Sequence, residues 1–145
     1  MGTRSLTIFS EDGGFEIGVL YRQMDGYPEG HGMELAKLLS GITMVSGLPI
    51  EKPEKLANGM SCLAAQVVAH FKQGPGGFYL CPAGTRKCGE EYTYFVTGID
   101  GEEPQIEICD KNDVLHKGPA SGYEKWLKSW IADEDAKYAL PVAVH

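Results

Sequence analysis

A chain of 145 residues, 43% hydrophobic and 23% charged, is long enough to bury a core without disulfide or metal staples. Twenty Asp and Glu against thirteen Lys and Arg leave a formal charge of −7, which repels duplex nucleic acid and anionic membrane but leaves room for a small anionic ligand held by clustered arginines. No apolar run approaches the roughly 18 residues of a membrane span and no signal-type h-region opens the chain, so no membrane contact and a cytoplasmic location are expected.

The elements follow in chain order. Residues 5–10 and 15–22 are β-like runs around Asp12-Gly13, a dipeptide that favours a tight hairpin because glycine tolerates positive φ. In the second run Phe15, Ile17, Val19 and Tyr21 alternate with more polar positions and are expected to share one face. Residues 23–32, QMDGYPEGHG, form a loop, and residues 33–39 read as a short helix. Residues 40–54, with Gly41, Gly47, Pro49 and Pro53, read as an irregular connection.

Met60, Leu63, Ala64, Val67, Val68 and Phe71 recur at spacings of three and four, the stripe of an amphipathic helix with Asn58 as expected N-cap. A strand over 77–81, a loop over 82–90, and strands over 91–97 and 105–109 joined through Asp100-Gly101 follow. Ser121-Gly122-Tyr123-Glu124 fits a capping box, and Tyr123, Trp126, Leu127, Trp130 and Ile131 give a third helical stripe. Residues 133–145 read as an extended tail of the single 1–145 domain. The expected class is α+β: antiparallel hairpins forming a sheet packed against about three amphipathic helices.

Four cysteines, Cys62, Cys81, Cys88 and Cys109, form no C-x-x-C pair and read as reduced, partly buried thiols. Two loops draw attention. The first, from Tyr21 to Gly32, combines Arg22, Gln23, Asp25, Tyr27 and His31 with three glycines and leads into a helix start. A planar fork, a flat ring and free N–H groups suit a nucleotide-like ligand. The same residues also make a tight ordered turn, with Asp25 and Glu29 capping and Pro28 fixing the bend. The second, residues 82–89, places Thr85, Arg86 and Lys87 between glycines, as a phosphate clamp or a solvated turn. The tripeptide Gly-Thr-Arg occurs at 2–4 and 84–86, ahead of each hairpin, and a pseudo-repeat would bring Arg4 and Arg86 together.

The stretches MGTRSLT at 1–7, Tyr21-Arg22-Gln23 and Asp25-Gly26-Tyr27-Pro28-Glu29-Gly30-His31-Gly32 resemble a family of small uncharacterised bacterial and bacteriophage proteins. Asn58–Gln66 and Gly76–Arg86 resemble it too, so the likeness spans about the first hundred residues. It implies no activity. The phage setting suggests, by analogy of size, a counter-defence protein that sequesters a host immune nucleotide in the host cytoplasm.

Three functions follow. The first is a non-catalytic binder of a small anionic, nucleotide-like ligand through Arg4, Arg22, Gln23, Asp25, Tyr27, His31, Thr85, Arg86 and Lys87, with no cofactor or metal. A homo-oligomer would be required if the arginines come from different subunits. The second is a small hydrolase or transferase with His31 as base and Asp25 or Glu29 as its orienter. The third is an interaction module that inhibits a partner through Trp126 or Trp130.

Overall fold

A computed structural model describes residues 2–47 and 55–138. It is an α+β fold in which a six-stranded sheet carries its helices on one face. The strands are β1 (Ser5–Ser10), β2 (Glu16–Arg22), β5 (Phe78–Cys81), β6 (Tyr92–Thr97), β7 (Gln105–Cys109) and β8 (Val114–Pro119), in the spatial order β5-β2-β1-β6-β7-β8. A separate parallel pair joins β3 (Thr43–Val45) to β4 (Leu56–Asn58). The helices are α1 (Met33–Leu39), α2 (Gly59–Phe71) and α3 (Tyr123–Tyr138).

Both expected hairpins form, and the sheet is built by laying them side by side. β1 pairs antiparallel with β2, β6 with β7, and the two hairpins meet through a parallel β1–β6 ladder at the centre. Period-two alternation then sorts the core. Phe9, Leu20, Tyr94, Val96, Ile106 and Ile108 face the helices and join Leu35, Leu63, Val67, Tyr123 and Leu127 in one cluster. Leu6, Ile8 and Val19 face the other way, where Cys81, Cys88, Tyr21 and Phe95 pack on them.

The ladders are irregular at two places among the described residues, between Ile108 and Cys109 opposite β8 and in β2; the second splits an expected face. Ser10 opposes Glu16 and Phe9 opposes Gly18, so Ile17 is an extra residue in β2. This bulge turns Ile17 onto the helix side, while Val19 and Tyr21 belong to the back face and Phe15 is left 70% exposed. The shared face expected for Phe15, Ile17, Val19 and Tyr21 is therefore split.

Other expectations are corrected by long-range contacts. Asn58 makes no cap bond to α2; its Oδ1 accepts from the Gly47 N–H at 2.7 Å. The α3 end is satisfied from a distance: Glu103 accepts from the N–H of Ser121 at 2.6 Å and of Gly41 at 3.0 Å. Burial alone would raise the Glu103 carboxyl, but those two N–H groups outweigh it and hold it below the usual carboxylate range. Residues 133–138 continue α3 rather than starting a tail, while 139–145 and the connection at 48–54 lie outside the described residues. β8, which carries His116, is the outer strand of the sheet beside β7. No helix among the described residues is long and apolar enough to cross a membrane.

Candidate functional site

The loop between β2 and α1 is pinned from three sides. Asp25 sits at φ 62°, one of two non-glycine residues in the left-handed region among the described residues, and its carbonyl accepts the His31 N–H at 2.9 Å. Gly26 packs on β1, where an added Cβ would come within 2.7 Å of Ser5 Cβ. Tyr94 Oη donates to the Gly26 carbonyl and Tyr123 Oη to the Pro28 carbonyl, both at 2.7 Å. Gly32 lies under those two rings, and a Cβ there would collide with Tyr123 Oη. Residues Pro28–Gly32 consequently form one wide π-type turn that runs straight into α1. The glycines of this loop admit protein groups.

His31 occupies the centre of that arrangement and is fully buried. Its ring lies 4.8 Å from the Phe71 ring and 4.9 Å from the Tyr94 ring. Arg22 Nη1 lies 3.2 Å from Nδ1, and Thr7 Oγ1 lies 2.7 Å from Nε2. A guanidinium only donates, so Nδ1 accepts and Nε2 carries the proton that it donates to Thr7. Burial, and then the Arg22 charge, lower the His31 pKa to about 3. An imidazole with both nitrogens engaged inside the core is no open base. Asp25 and Glu29 do not orient it: Asp25 touches His31 through backbone alone, and Glu29 is exposed. The expected role of His31 at a ligand or as a catalytic base is therefore corrected to that of a core hydrogen-bonding residue.

Arg22 is spent in the same way. Its side chain is 11% exposed, donates through Nε to the Met24 carbonyl at 2.6 Å, approaches Glu34 at 3.4 Å and lies 4.8 Å from the Phe78 ring centre. Tyr27 reaches Asp25 at 3.4 Å on the surface, and Gln23 is exposed with its N–H on the Gly77 carbonyl.

The 82–89 turn lies elsewhere. Arg86 makes a two-pronged contact with Glu16, at 2.7 and 3.2 Å, and the Gly84 N–H donates to the same carboxylate. The Arg86 guanidinium holds the Glu16 carboxyl below the usual carboxylate range. Glu16 and Arg22 are the two ends of β2, which at about 3.3 Å per residue puts them roughly 20 Å apart. Thr85 Oγ1 closes its own turn on the Pro82 carbonyl at 2.7 Å, and Lys87 sits exposed at φ 61°. Arg4 immediately precedes β1 at the Arg22 end, beside Gly89. Among the described residues no main concavity is lined by both loops; Arg86 is held by Glu16, while Arg4 meets the far end of the 82–89 turn at Gly89. β1 and β6 are indeed adjacent and parallel, but residues 82–91 must cross the back of β2 and β1 to reach β6, which separates Arg86 from the strand it was expected to open.

Two of the concavities border α2. One, about 310 Å³, lies where β1 and β6 end and α2 begins, and is lined by Glu11, Asp12, Asn58, Gly59 and Asp100. Its three carboxylates have no basic residue among them, and no group of three or more His, Cys, Asp or Glu among the described residues is placed to hold a metal ion. The other is a groove of about 470 Å³ between α2 and the β2–β5 side of the sheet. Phe9, Ile17 and Gly18 form its floor, Ala64, Ala65, Val68 and Ala69 one wall, and Leu80 and Cys81 the other.

That groove has a specific origin in the sequence. Alanines at 64, 65 and 69 hold the helix surface low, the β2 bulge turns Ile17 inward, and Gly18 adds no side chain. Its outer wall is β5, paired with β2 on one side and, among the described residues, with no strand on the other. Tyr79 and Leu80 are 47% and 70% exposed there. Strand edges are ordinarily blunted by charge or proline. Phe78-Tyr79-Leu80-Cys81 carries neither of its own; Lys72 Nζ donates to the Phe78 carbonyl at 2.7 Å, which leaves Leu80 as the uncovered part of the edge. The sequence reading missed this site because an alanine flank beside a hydrophobic stripe and a four-residue apolar strand look like ordinary core. Trp126 and Trp130, expected as an exposed patch, are half-buried on the core, with Trp126 stacked on His116 at 4.9 Å.

No family model, no curated protein and no solved structure matches the chain.

Proposed function

We propose that the protein is a non-catalytic binding module of the cytoplasm whose site is the groove between α2 and β5, and that it takes an extended apolar segment of a partner protein. The observation that carries this reading is the coincidence of an apolar groove with a strand edge that pairs with no strand among the described residues and is met by Lys72 only at the Phe78 carbonyl. An extended segment satisfies both: its backbone hydrogen-bonds to β5, and alternate side chains enter the groove. A compact apolar molecule would fill the groove and leave the strand edge unused. The chain's charge of −7 favours a segment with basic flanks. Each leucine-sized side chain that becomes fully buried contributes about 1.5–3 kcal/mol, so a few of them support roughly micromolar affinity after ordering costs.

This reading departs from the anionic, nucleotide-like ligand expected from sequence, and with it from sequestration of an immune nucleotide. An anion held by Arg86 would have to displace Glu16, and one held by Arg22 would have to displace Glu34. The groove requires no such exchange.

Selection from a random peptide library against the full chain tests the proposal. Recovered peptides are expected to alternate apolar residues, to carry Lys or Arg at their ends, and to lose binding to both Leu80→Asp and Ala65→Trp. Peptides that bind these variants as well as the parent, or a chain that instead forms a stable self-dimer through β5 and takes no peptide, would overturn it.

A further inference from the structure

We propose that Cys81 and Cys88 are an oxidation-sensitive pair that joins β5 to the crossover segment behind the sheet through a disulfide. The inference is independent of what the groove binds. It starts from the route of the chain. After Cys81, residues 82–91 cross the back of β2 and β1 to reach β6, a parallel connection made without a helix. Both thiols turn inward along that route and pack on the same cluster, Leu6, Ile8 and Val19.

The segment between them is folded back by its own bonds. The Thr85 N–H and hydroxyl both reach the Pro82 carbonyl, at 3.2 and 2.7 Å. Lys87 adopts φ 61°, and the N–H groups of Lys87 and Cys88 both donate to the Glu90 carboxylate. These turns return position 88 to the cluster that position 81 has just left. Burial pushes the Cys88 thiol up, and the Glu90 charge and the Cys81 thiol add to this. Cys62 on α2 packs on the helix-side core and Cys109 lies on β7, two strands from β1 and outside the Leu6, Ile8 and Val19 cluster, so both serve as internal controls.

The chemistry is thiol–disulfide exchange with oxidised glutathione as the oxidant. One cysteine thiolate attacks a glutathione sulfur, forming a mixed disulfide and releasing one glutathione thiolate. The second cysteine thiolate then attacks the cysteine sulfur of that mixed disulfide and expels the other glutathione. Two protein thiols are oxidised, one glutathione disulfide is reduced to two glutathione thiols, and the two protons pass to the released thiolates. Because thiolate is the attacking species and Cys88 resists ionisation, the reaction is slow at neutral pH and accelerates as pH rises.

The test is incubation of the full-length protein with oxidised glutathione, followed by intact-mass analysis and peptide mapping, beside Cys81→Ser, Cys88→Ser, and the Cys62→Ser/Cys109→Ser double variant. The expected product is lighter than the starting protein by two hydrogens, with residues 81 and 88 in one cross-linked peptide. It forms in the double variant, faster at higher pH, and is absent from either single variant. Amide exchange across 82–91 is expected to slow at least several-fold in the oxidised form. Separate glutathione adducts at Cys81 and Cys88 without the cross-link, or a cross-link to Cys62 or Cys109, would overturn the proposal. Folding of the serine variants, checked by circular dichroism, separates loss of the thiol from loss of structure.

Discussion

Arg22 donates to Nδ1 of His31 at 3.2 Å and thereby fixes which ring nitrogen carries the proton that His31 gives to Thr7 at 2.7 Å. A residue at the end of β2 thus sets the chemistry of one in the following turn, and β1 receives the result. Ring-nitrogen NMR is expected to find His31 neutral and in the Nε2–H form from neutral pH down to about pH 4. Burial outranks the Arg22 charge as the cause, so Arg22→Met should leave the His31 pKa below its ordinary 6.5. A return to 6.5 in that variant would assign the shift to the wrong cause.

The same burial makes the fold acid-sensitive. The His31 pKa is about 3 folded and 6.5 ordinarily, so the unfolded chain takes the proton first as pH falls. Its contribution is complete above about pH 6.5 and is lost on the way down to about 3, at up to about 1.4 kcal/mol per pH unit. Glu16 and Glu103, both held below their ordinary 4.5, act in the same direction, losing their contribution as pH falls beneath that value. Urea unfolding from pH 7 to pH 5 checks the histidine share, to which His116, also lowered by burial, adds in the same direction, and His31→Gln should reduce that slope.

Thr7 is the acceptor in this network, and it is as buried as His31. Thr7→Val keeps the shape and leaves the Nε2–H without a partner. The expected cost is about 1–3 kcal/mol by urea denaturation, against a much smaller cost for Thr7→Ser, which retains an acceptor.

Much of the fold is legible in the chain. Asp12-Gly13 and Asp100-Gly101 mark both hairpins, and the 60–71 stripe marks α2 with its buried face. What is not legible is set by contacts distant in sequence. Glu103 bonds the Ser121 and Gly41 N–H groups across 18 and 62 residues, so a local capping box was a natural but incorrect reading. His31 looked like a loop histidine because nothing near it in sequence announces that Phe71 and Tyr94 enclose its ring. The groove was hidden for a related reason: a strand edge becomes an edge only once the order of the sheet is known.

Glu103 supplies a separate prediction. Glu103→Ala removes the acceptor for two N–H groups and should cost about 1–2 kcal/mol. Amide exchange should rise at Ser121 and Gly41 together, although they belong to different segments. A rise confined to one of them would show that the carboxylate serves only that end.

The proposed binding surface is the outer edge of β5, which pairs with no strand among the described residues, beside the α2 groove. Hydrogen exchange on the complex with a selected peptide tests it most directly, since a segment added to the sheet must protect main-chain amides there. The predicted result is slowed exchange across Phe78–Cys81, with methyl shifts at Ile17, Val68 and Leu80 and no change at Arg22 or His31. Protection centred on the 22–32 or 82–89 turns, with β5 exchanging as before, would contradict it.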